Sequence, residues 1–377
     1  MRIRAAVLRE PRAPVRVEEV ELDPPRAGEV LVRVAAAGVC HSDVRLADGE
    51  LGEGRSPMIL GHEGAGVVEQ VGEAVTHVAP GDAVCFCIVP ACRACEECLR
   101  SRFNLCVPAG ANGVRGTLMD GTSRLRLPDG TALQHGLMTA CFAERTVVAA
   151  AGAVPLPAGL PLWQAALLGC GVVSAFGAVR NAARVRPGAS VAVIGCGGVG
   201  LQVVTAARLA GAEPLIAVDL DPGKLDLALV RGATHTVEAG SATTAARIRR
   251  LAGGGVEHAF EVVGRPETMR LAWDVLRPGA TAVVVGLAPQ WVEVSLPAIE
   301  LLSEKALRGS YYGSGDAFAE LPRLAELALA GELDLGAVVT GVDSLDGVQE
   351  ALDRLRAGEG ARTVLILDAE LAGRSYR

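Results

Sequence analysis

Residues 190–202, SVAVIGCGGVGLQ, constrain the fold more than any other stretch. An apolar strand-like run ends at Ile194, Gly195, Gly197 and Gly200 follow in a GxGxxG pattern, and an Ala/Leu-rich segment, LQVVTAARLAGA, continues from Leu201. Strand, glycine turn and helix in that order open a βαβ unit, which requires a parallel sheet. The glycines permit a tight turn and close backbone approach, while the helix N-terminus presents N–H groups to a pyrophosphate. Gly198 and Val199 belong to the same turn. Asp219 closes the next strand, LIAVD, about 20 residues on, where a carboxylate can accept ribose hydroxyls and would repel a 2′-phosphate. A bound dinucleotide is therefore expected, NAD in preference to NADP. The competing reading, a glycine-rich turn without ligand, leaves the agreement of strand, helix and acid unexplained.

The alternation continues through HAFEVVG, TMRLAWDVLRPGA and TAVVVGL, and then returns to mixed structure from FAELPRLAELALAGELDL to RTVLILD. Residues 1–150 differ in texture: short β-type runs such as GEVLVRVAAAGVC, GAGVVEQVG and FAERTVVAA are broken by Gly and Pro. The parallel-sheet block is thus inserted into a β-rich domain, and 377 residues are more than one core usually supports. The expected fold class is α/β, with a β-rich domain at 1–171 and 312–377 and a doubly wound domain at 172–311. Asn112 to Gly136, polar and Gly-rich, reads as a surface loop.

The formal charge of −7 leaves no cationic surplus for phosphates, which argues against nucleic acid. The first ten residues, MRIRAAVLRE, lack a signal-peptide core, and no run of 18 apolar residues follows. A cytoplasmic protein without membrane contact is expected. In a reducing compartment, ten cysteines point to metal or packing before disulfides.

Their spacing separates them. Cys92, Cys95, Cys98 and Cys106, in PACRACEECLRSRFNLC, form a lobe at 90–107 whose four thiolates can close a tetrahedron around a structural zinc, with no position left for substrate. Iron–sulfur ligation and scattered core cysteines are the competing readings. A nucleic-acid zinc ribbon would want basic surroundings, and Glu96 and Glu97 offset Arg93, Arg100 and Arg102. A second set is dispersed: Cys40 in GVCHSD, His62 and Glu63 in GHEGAG, and Cys170 in LLGCGVV. Two thiolates and one imidazole leave a fourth position open, as catalytic zinc sites do. Asp43 is placed to accept the second N–H of His62. Cys85, Cys87, Cys141 and Cys196 fall outside both sets and read as packing residues.

With GVCHSD, GHEGAGVVEQVG, the four-cysteine lobe and GCGVVSAFGAVRNAARVRPGASVAVIGCGGVGL in place, the chain resembles the zinc-containing medium-chain alcohol dehydrogenases. LMDGTSR and FEVVGRPETM add similarity to the longer dimeric, class III-like members and to bacterial members that retain NAD. The resemblance implies a GroES-like catalytic domain with an inserted Rossmann domain, two zinc ions per chain, NAD, and hydride transfer between an alcohol or aldehyde and the cofactor. It implies that Cys40, His62 and Cys170 hold catalytic zinc, that Glu63 is an occasional ligand, and that Ser42 bonds the substrate hydroxyl. His41, Ser174, Lys224, Arg265 and Arg362 join Gly195, Gly197, Gly198, Val199, Gly200 and Asp219 as expected cofactor neighbours. A homodimer, or a homotetramer, is expected.

Three departures bear on mechanism and substrate. Arg45 stands where many members end a proton relay with histidine, and arginine cannot act as a base. Gly110 replaces the arginine of glutathione-dependent formaldehyde dehydrogenases, against a thiol-adduct substrate, which stays the alternative along with an enzyme that retains NAD and uses an external acceptor. Ile88 replaces an aromatic pocket wall, which suggests a roomy aliphatic pocket.

Overall fold

The computed structural model describes residues 1–51 and 56–373. The chain divides into two compact units, Gly171–Ser314 and Met1–Cys170 with Gly315–Arg377.

In the inserted unit, six strands among the described residues form one parallel sheet. Its order is His235–Glu238, Leu215–Asp219, Val191–Ile194, Val256–Glu261, Leu276–Val284, Ala306–Gly309. That is the 3-2-1-4-5-6 order of a Rossmann domain, with the reversal of strand order between Val191–Ile194 and Val256–Glu261. The central strands read as continuous apolar runs because helices cover both faces; Val191, Val193, Leu215 and Val218 are wholly buried. Local chemistry starts the helices: Asp221 accepts from Gly223 N at 2.8 Å, with Pro222 in the first turn of Pro222–Val230.

In the other unit, Arg2–Leu8, Arg16–Leu22, Leu125–Arg126, Ala132–His135 and Met58–Ile59 close a barrel. A second sheet is organised on the long strand Glu29–Val39, which pairs antiparallel with Glu63–Val71, Arg145–Ala149 and Thr363–Ile366. The register sets Gly38 opposite Glu63 and Val39 opposite Thr363. Three segments distant in sequence thereby deliver Cys40, Glu63 and Arg362 to one sheet end.

The expectation of a surface loop at Asn112–Gly136 is corrected. Its outer part supplies two barrel strands and buries Leu118, Leu125, Leu127 and Leu133. Arg124, also buried, donates from Nε to Glu29 Oε2 at 2.8 Å and from Nη2 to Asp120 Oδ2 at 2.5 Å. The segment is polar in sequence yet partly interior because one of its three arginines, Arg124, is neutralised inside. Beside it, burial and the Arg124 guanidinium hold the His135 imidazole down to about 3. The unfolded chain, near 6.5, therefore binds a proton first. Stability is complete above that pH and falls toward pH 3, by up to about 1.4 kcal/mol per unit. Between pH 6.5 and 5 the wild type should lose about 1.6 kcal/mol more than His135→Gln in denaturant unfolding; equal losses would contradict the assignment.

The helical run Leu162–Ala183 is long and apolar enough to cross a membrane by length and composition, contrary to expectation, yet 72% of its most apolar window is buried in the protein.

Candidate catalytic metal centre and cofactor turn

Cys40 follows the strand Glu29–Val39 and precedes the helix His41–Ala47, which projects Asp43 inward. Asp43 is fully buried and wholly used: Oδ1 accepts from Gly61 N at 3.1 Å and pairs with His62 Nδ1 at 3.0 Å, while Oδ2 accepts from Cys40 N at 3.1 Å. One carboxylate thus fixes both the thiol and the imidazole. Cys170 comes from a π-helical turn, Leu168–Val172, a distortion frequent at functional sites. One ligand atom each from Cys40, His62, Glu63 and Cys170 lies within 4.8 Å of all the others.

Among the described residues, two buried atoms there have no hydrogen-bond partner, His62 Nε2 and Glu63 Oε2. A buried nitrogen without a partner is costly, and beside two sulfurs it fits a soft divalent ion such as zinc. Cys170 and the nearby His62 and Arg362 pull the Cys40 thiol down against burial, whereas the Cys40 contact and burial push Cys170 up. Burial pulls the His62 imidazole down, but Asp43 outweighs it and holds the ring well above the usual range. Glu63, buried, rises to about 8 although Arg362 opposes the shift. Arg362 Nη1 donates to Glu63 Oε1 at 3.0 Å and Val39 O at 3.1 Å. This expected cofactor contact thus stands behind the candidate metal ligands, a pairing that no local motif announces.

Asp43→Asn should lose the charge that orients His62. An order of 10- to 100-fold weaker metal affinity or activity is expected, measured by competition with a zinc chelator; unchanged affinity would remove Asp43 from the site.

In the lobe, the sulfurs of Cys92, Cys95, Cys98 and Cys106 also lie within 4.8 Å of one another, with Cys92 Sγ 3.9 Å from Cys98 Sγ. Zn–S bonds of about 2.3 Å in a tetrahedron require sulfurs about 3.8 Å apart. Backbone N–H groups point inward: Cys95 N lies 3.2 Å from Cys92 Sγ and Cys92 N 3.2 Å from Cys106 Sγ. N–H groups of Cys98 and Val107 bring the Cys95 thiol down to about 6. Arg93 anchors the loop through a forked pair to Asp316 at 2.6 and 2.8 Å and covers the Phe103 ring. Cys85, Cys141 and Cys196 are buried, with thiols raised chiefly by burial, and Cys87 is buried with its thiol on Val89 O.

The cofactor turn explains its glycines. Gly195 has φ +95°, and a Cβ on Gly200 would lie 1.8 Å from Gly195 O. Gly197 has open space at that position, which leaves its backbone approachable. Asp219 Oδ2 accepts from Cys196 N at 2.6 Å, so the acid is already tied to the turn. Gly198 and Val199 open the helix Gly198–Leu209, Lys224 lies in the first turn of Pro222–Val230, exposed Arg265 precedes Pro266–Asp274, and Ser174 is half-buried in Val173–Gly177. His41 is exposed and Ser42 Oγ lies 3.8 Å from Cys40 Sγ. Arg45 is engaged by Glu50.

Residues 26–158 match the alcohol dehydrogenase GroES-like domain and residues 198–330 the zinc-binding dehydrogenase family. The chain is 38% identical to S-(hydroxymethyl)glutathione dehydrogenases of Escherichia coli and Shigella sonnei over 368 residues, covering 97% of this chain and 100% of the relatives. It belongs to the zinc-containing medium-chain alcohol dehydrogenases. Among solved structures, an alcohol dehydrogenase zinc-binding domain protein from Burkholderia ambifaria aligns with TM-score 0.92 and 34% identity, covering 97% of this chain and 99% of the other. A benzyl alcohol dehydrogenase from Acinetobacter calcoaceticus aligns at 0.91 and 28%, with the same coverage. As a family member the protein is an NAD-linked, zinc-dependent oxidoreductase acting on a small alcohol or aldehyde. Zinc and NAD therefore meet residues that fit them.

Proposed function

We propose that Cys40, His62 and Cys170 are the catalytic zinc ligands of this alcohol dehydrogenase and that Cys92, Cys95, Cys98 and Cys106 hold a structural zinc. The observation that carries the assignment is His62 Nε2, buried and without a partner beside two thiols, on a ring fixed by Asp43. Zinc, when bound, supplies the positive charge that eases deprotonation of an alcohol, and NAD supplies the hydride acceptor. Asp43 orients the imidazole, and Glu63, paired with Arg362, adds a carboxylate that can approach the ion. Ser42 Oγ accepts the hydrogen bond of the substrate hydroxyl and releases its own proton as it takes the substrate's. Arg45 cannot receive it next, being permanently charged and paired with Glu50, so the proton passes to water. Gly195, Gly197, Gly198, Val199 and Gly200 cradle the pyrophosphate and Asp219 takes the adenosine ribose; His41, Ser174, Lys224, Arg265 and Arg362 are the further cofactor neighbours.

The substrate reading is a primary or secondary alcohol. Half-buried Ile88 brings no aromatic ring to the pocket, and exposed Gly110 brings no cation for a glutathione carboxylate. The test assays an alcohol panel and S-hydroxymethylglutathione with free NAD and with an artificial acceptor, after checking purified protein for bound NAD. Preference for the simple alcohols with freely exchanging NAD supports the reading. Preference for the glutathione adduct, or turnover only with the acceptor, overturns the corresponding part.

A homodimer is proposed because Trp291, Ile299, Leu301 and Leu302 are exposed in the segment that leads into Ala306–Gly309, an edge strand, and both features invite a partner. Light scattering should give twice the chain mass for the wild type and one chain mass for Leu302→Asp. The ten free thiols fit a reducing cytoplasm.

A further inference from the structure

Glu261 ends the strand Val256–Glu261, beside the reversal of strand order, where ligands of doubly wound sheets bind outside the carboxyl ends. Its side chain is completely buried. A single oxygen, Oε1, accepts from Val263 N at 2.8 Å, Gly264 N at 2.8 Å and Thr268 Oγ1 at 2.7 Å. The turn it gathers is pressed against two neighbours. Gly264, at φ +84°, could carry no Cβ, which would lie 2.3 Å from Leu287 O. On the other side, a Cβ on Gly195 would lie 2.6 Å from Val263 Cγ2, so the Val263 side chain rests directly on the first glycine of the cofactor turn. The main-chain oxygen of Glu261 also accepts from Val285 N at 2.8 Å and Gly286 N at 3.0 Å, which ties the following strand's end to the same point.

We infer that Glu261 is a positioning residue for NAD, acting through the Val263 turn on the glycine turn that receives the pyrophosphate. It touches neither substrate nor zinc. Three donors on one buried carboxylate oxygen fix where Val263 lies, and Val263 in turn limits where Gly195 can lie. Without the carboxylate, the buried Gly264 N–H and the partly buried Val263 N–H lose their acceptor, the turn shifts, and the cofactor meets a displaced glycine loop. Glutamine at this position keeps an oxygen for all three donors.

Full-length Glu261→Ala, Glu261→Gln and Thr268→Val would be compared with wild type by NADH fluorescence titration, by KM for NAD against KM for alcohol, and by zinc content. Glu261→Ala should raise the Kd for NADH and the KM for NAD tenfold or more, leave the KM for alcohol within twofold, and retain two zinc ions per chain. Glu261→Gln should stay within threefold of wild type, and Thr268→Val, missing one donor, should fall between. A wild-type Kd for NADH in Glu261→Ala, or an equal rise in both KM values, would overturn the role. Should Glu261→Ala fail to fold, Thr268→Val decides alone: a Kd raised more than twofold supports the role, and an unchanged Kd overturns it.

Discussion

His62→Ala is expected to leave a folded protein with one zinc per chain and a kcat/KM for alcohol at least about a thousandfold lower. Nε2 is the one imidazole position free of Asp43, and it is buried without a partner among sulfurs of the same cluster. Metal-assisted chemistry contributes several kcal/mol of charge stabilisation in the transition state, and about 1.4 kcal/mol corresponds to each tenfold in rate. Loss of the ion therefore removes three or more powers of ten. The cavity left by alanine sits in a packed sheet end and takes the imidazole from buried Asp43, so a measurable cost in stability accompanies the loss, but the lobe zinc should remain. Steady-state kinetics with metal analysis checks both halves. A variant with wild-type kcat/KM would mean that the reaction centre lies elsewhere.

Cys98→Ser is expected to act on stability first. The lobe has almost no core of its own: its helix Glu96–Leu99 is four residues long, and Leu99 and Leu105 face solvent. A helix that short is not stable alone. What remains to hold residues 90–107 is the metal and the Arg93–Asp316 fork. Structural zinc sites of this kind are worth on the order of 10 kcal/mol in apparent binding free energy, far more than one exposed ion pair. With one thiolate gone, the lobe should open, and trypsin should cut at Arg93, Arg100 or Arg102 faster than in the wild type. The expected readouts are loss of one zinc, a lower Tm and faster cleavage within the lobe. Full resistance with two zinc ions retained would show that the four sulfurs do not form a metal site.

Much of this is legible in sequence because the features are local. GxGxxG followed by Asp219 is a run of neighbours whose steric demands are met in place, Gly200 against Gly195 O most severely. The lobe cysteines are spaced so that a short loop brings them together. The catalytic cluster is harder: Cys40, His62 and Cys170 meet only through sheet register and a π-helical turn, and their residue types pointed to one site once the resemblance joined them. What stayed illegible is long-range and buried. Nothing in GEGAR announces that Arg362 reaches Glu63, nothing in LMDGTSR that Arg124 is neutralised by Glu29 inside a barrel, and nothing in FEVVG that Glu261 gathers three donors. Such pairings depend on which strands become neighbours, and polarity patterns within a segment do not encode that.

Two different sulfur-containing sites are proposed to bind zinc, the dispersed one being catalytic. Anomalous diffraction at the zinc edge from crystals of the full chain tests this most directly. Two peaks per chain are expected, one among the sulfurs of Cys92, Cys95, Cys98 and Cys106, and one about 2.3 Å from the Cys40 and Cys170 sulfurs and about 2.0 Å from His62 Nε2. A single peak in the lobe, or a second peak away from His62 Nε2, would contradict the assignment.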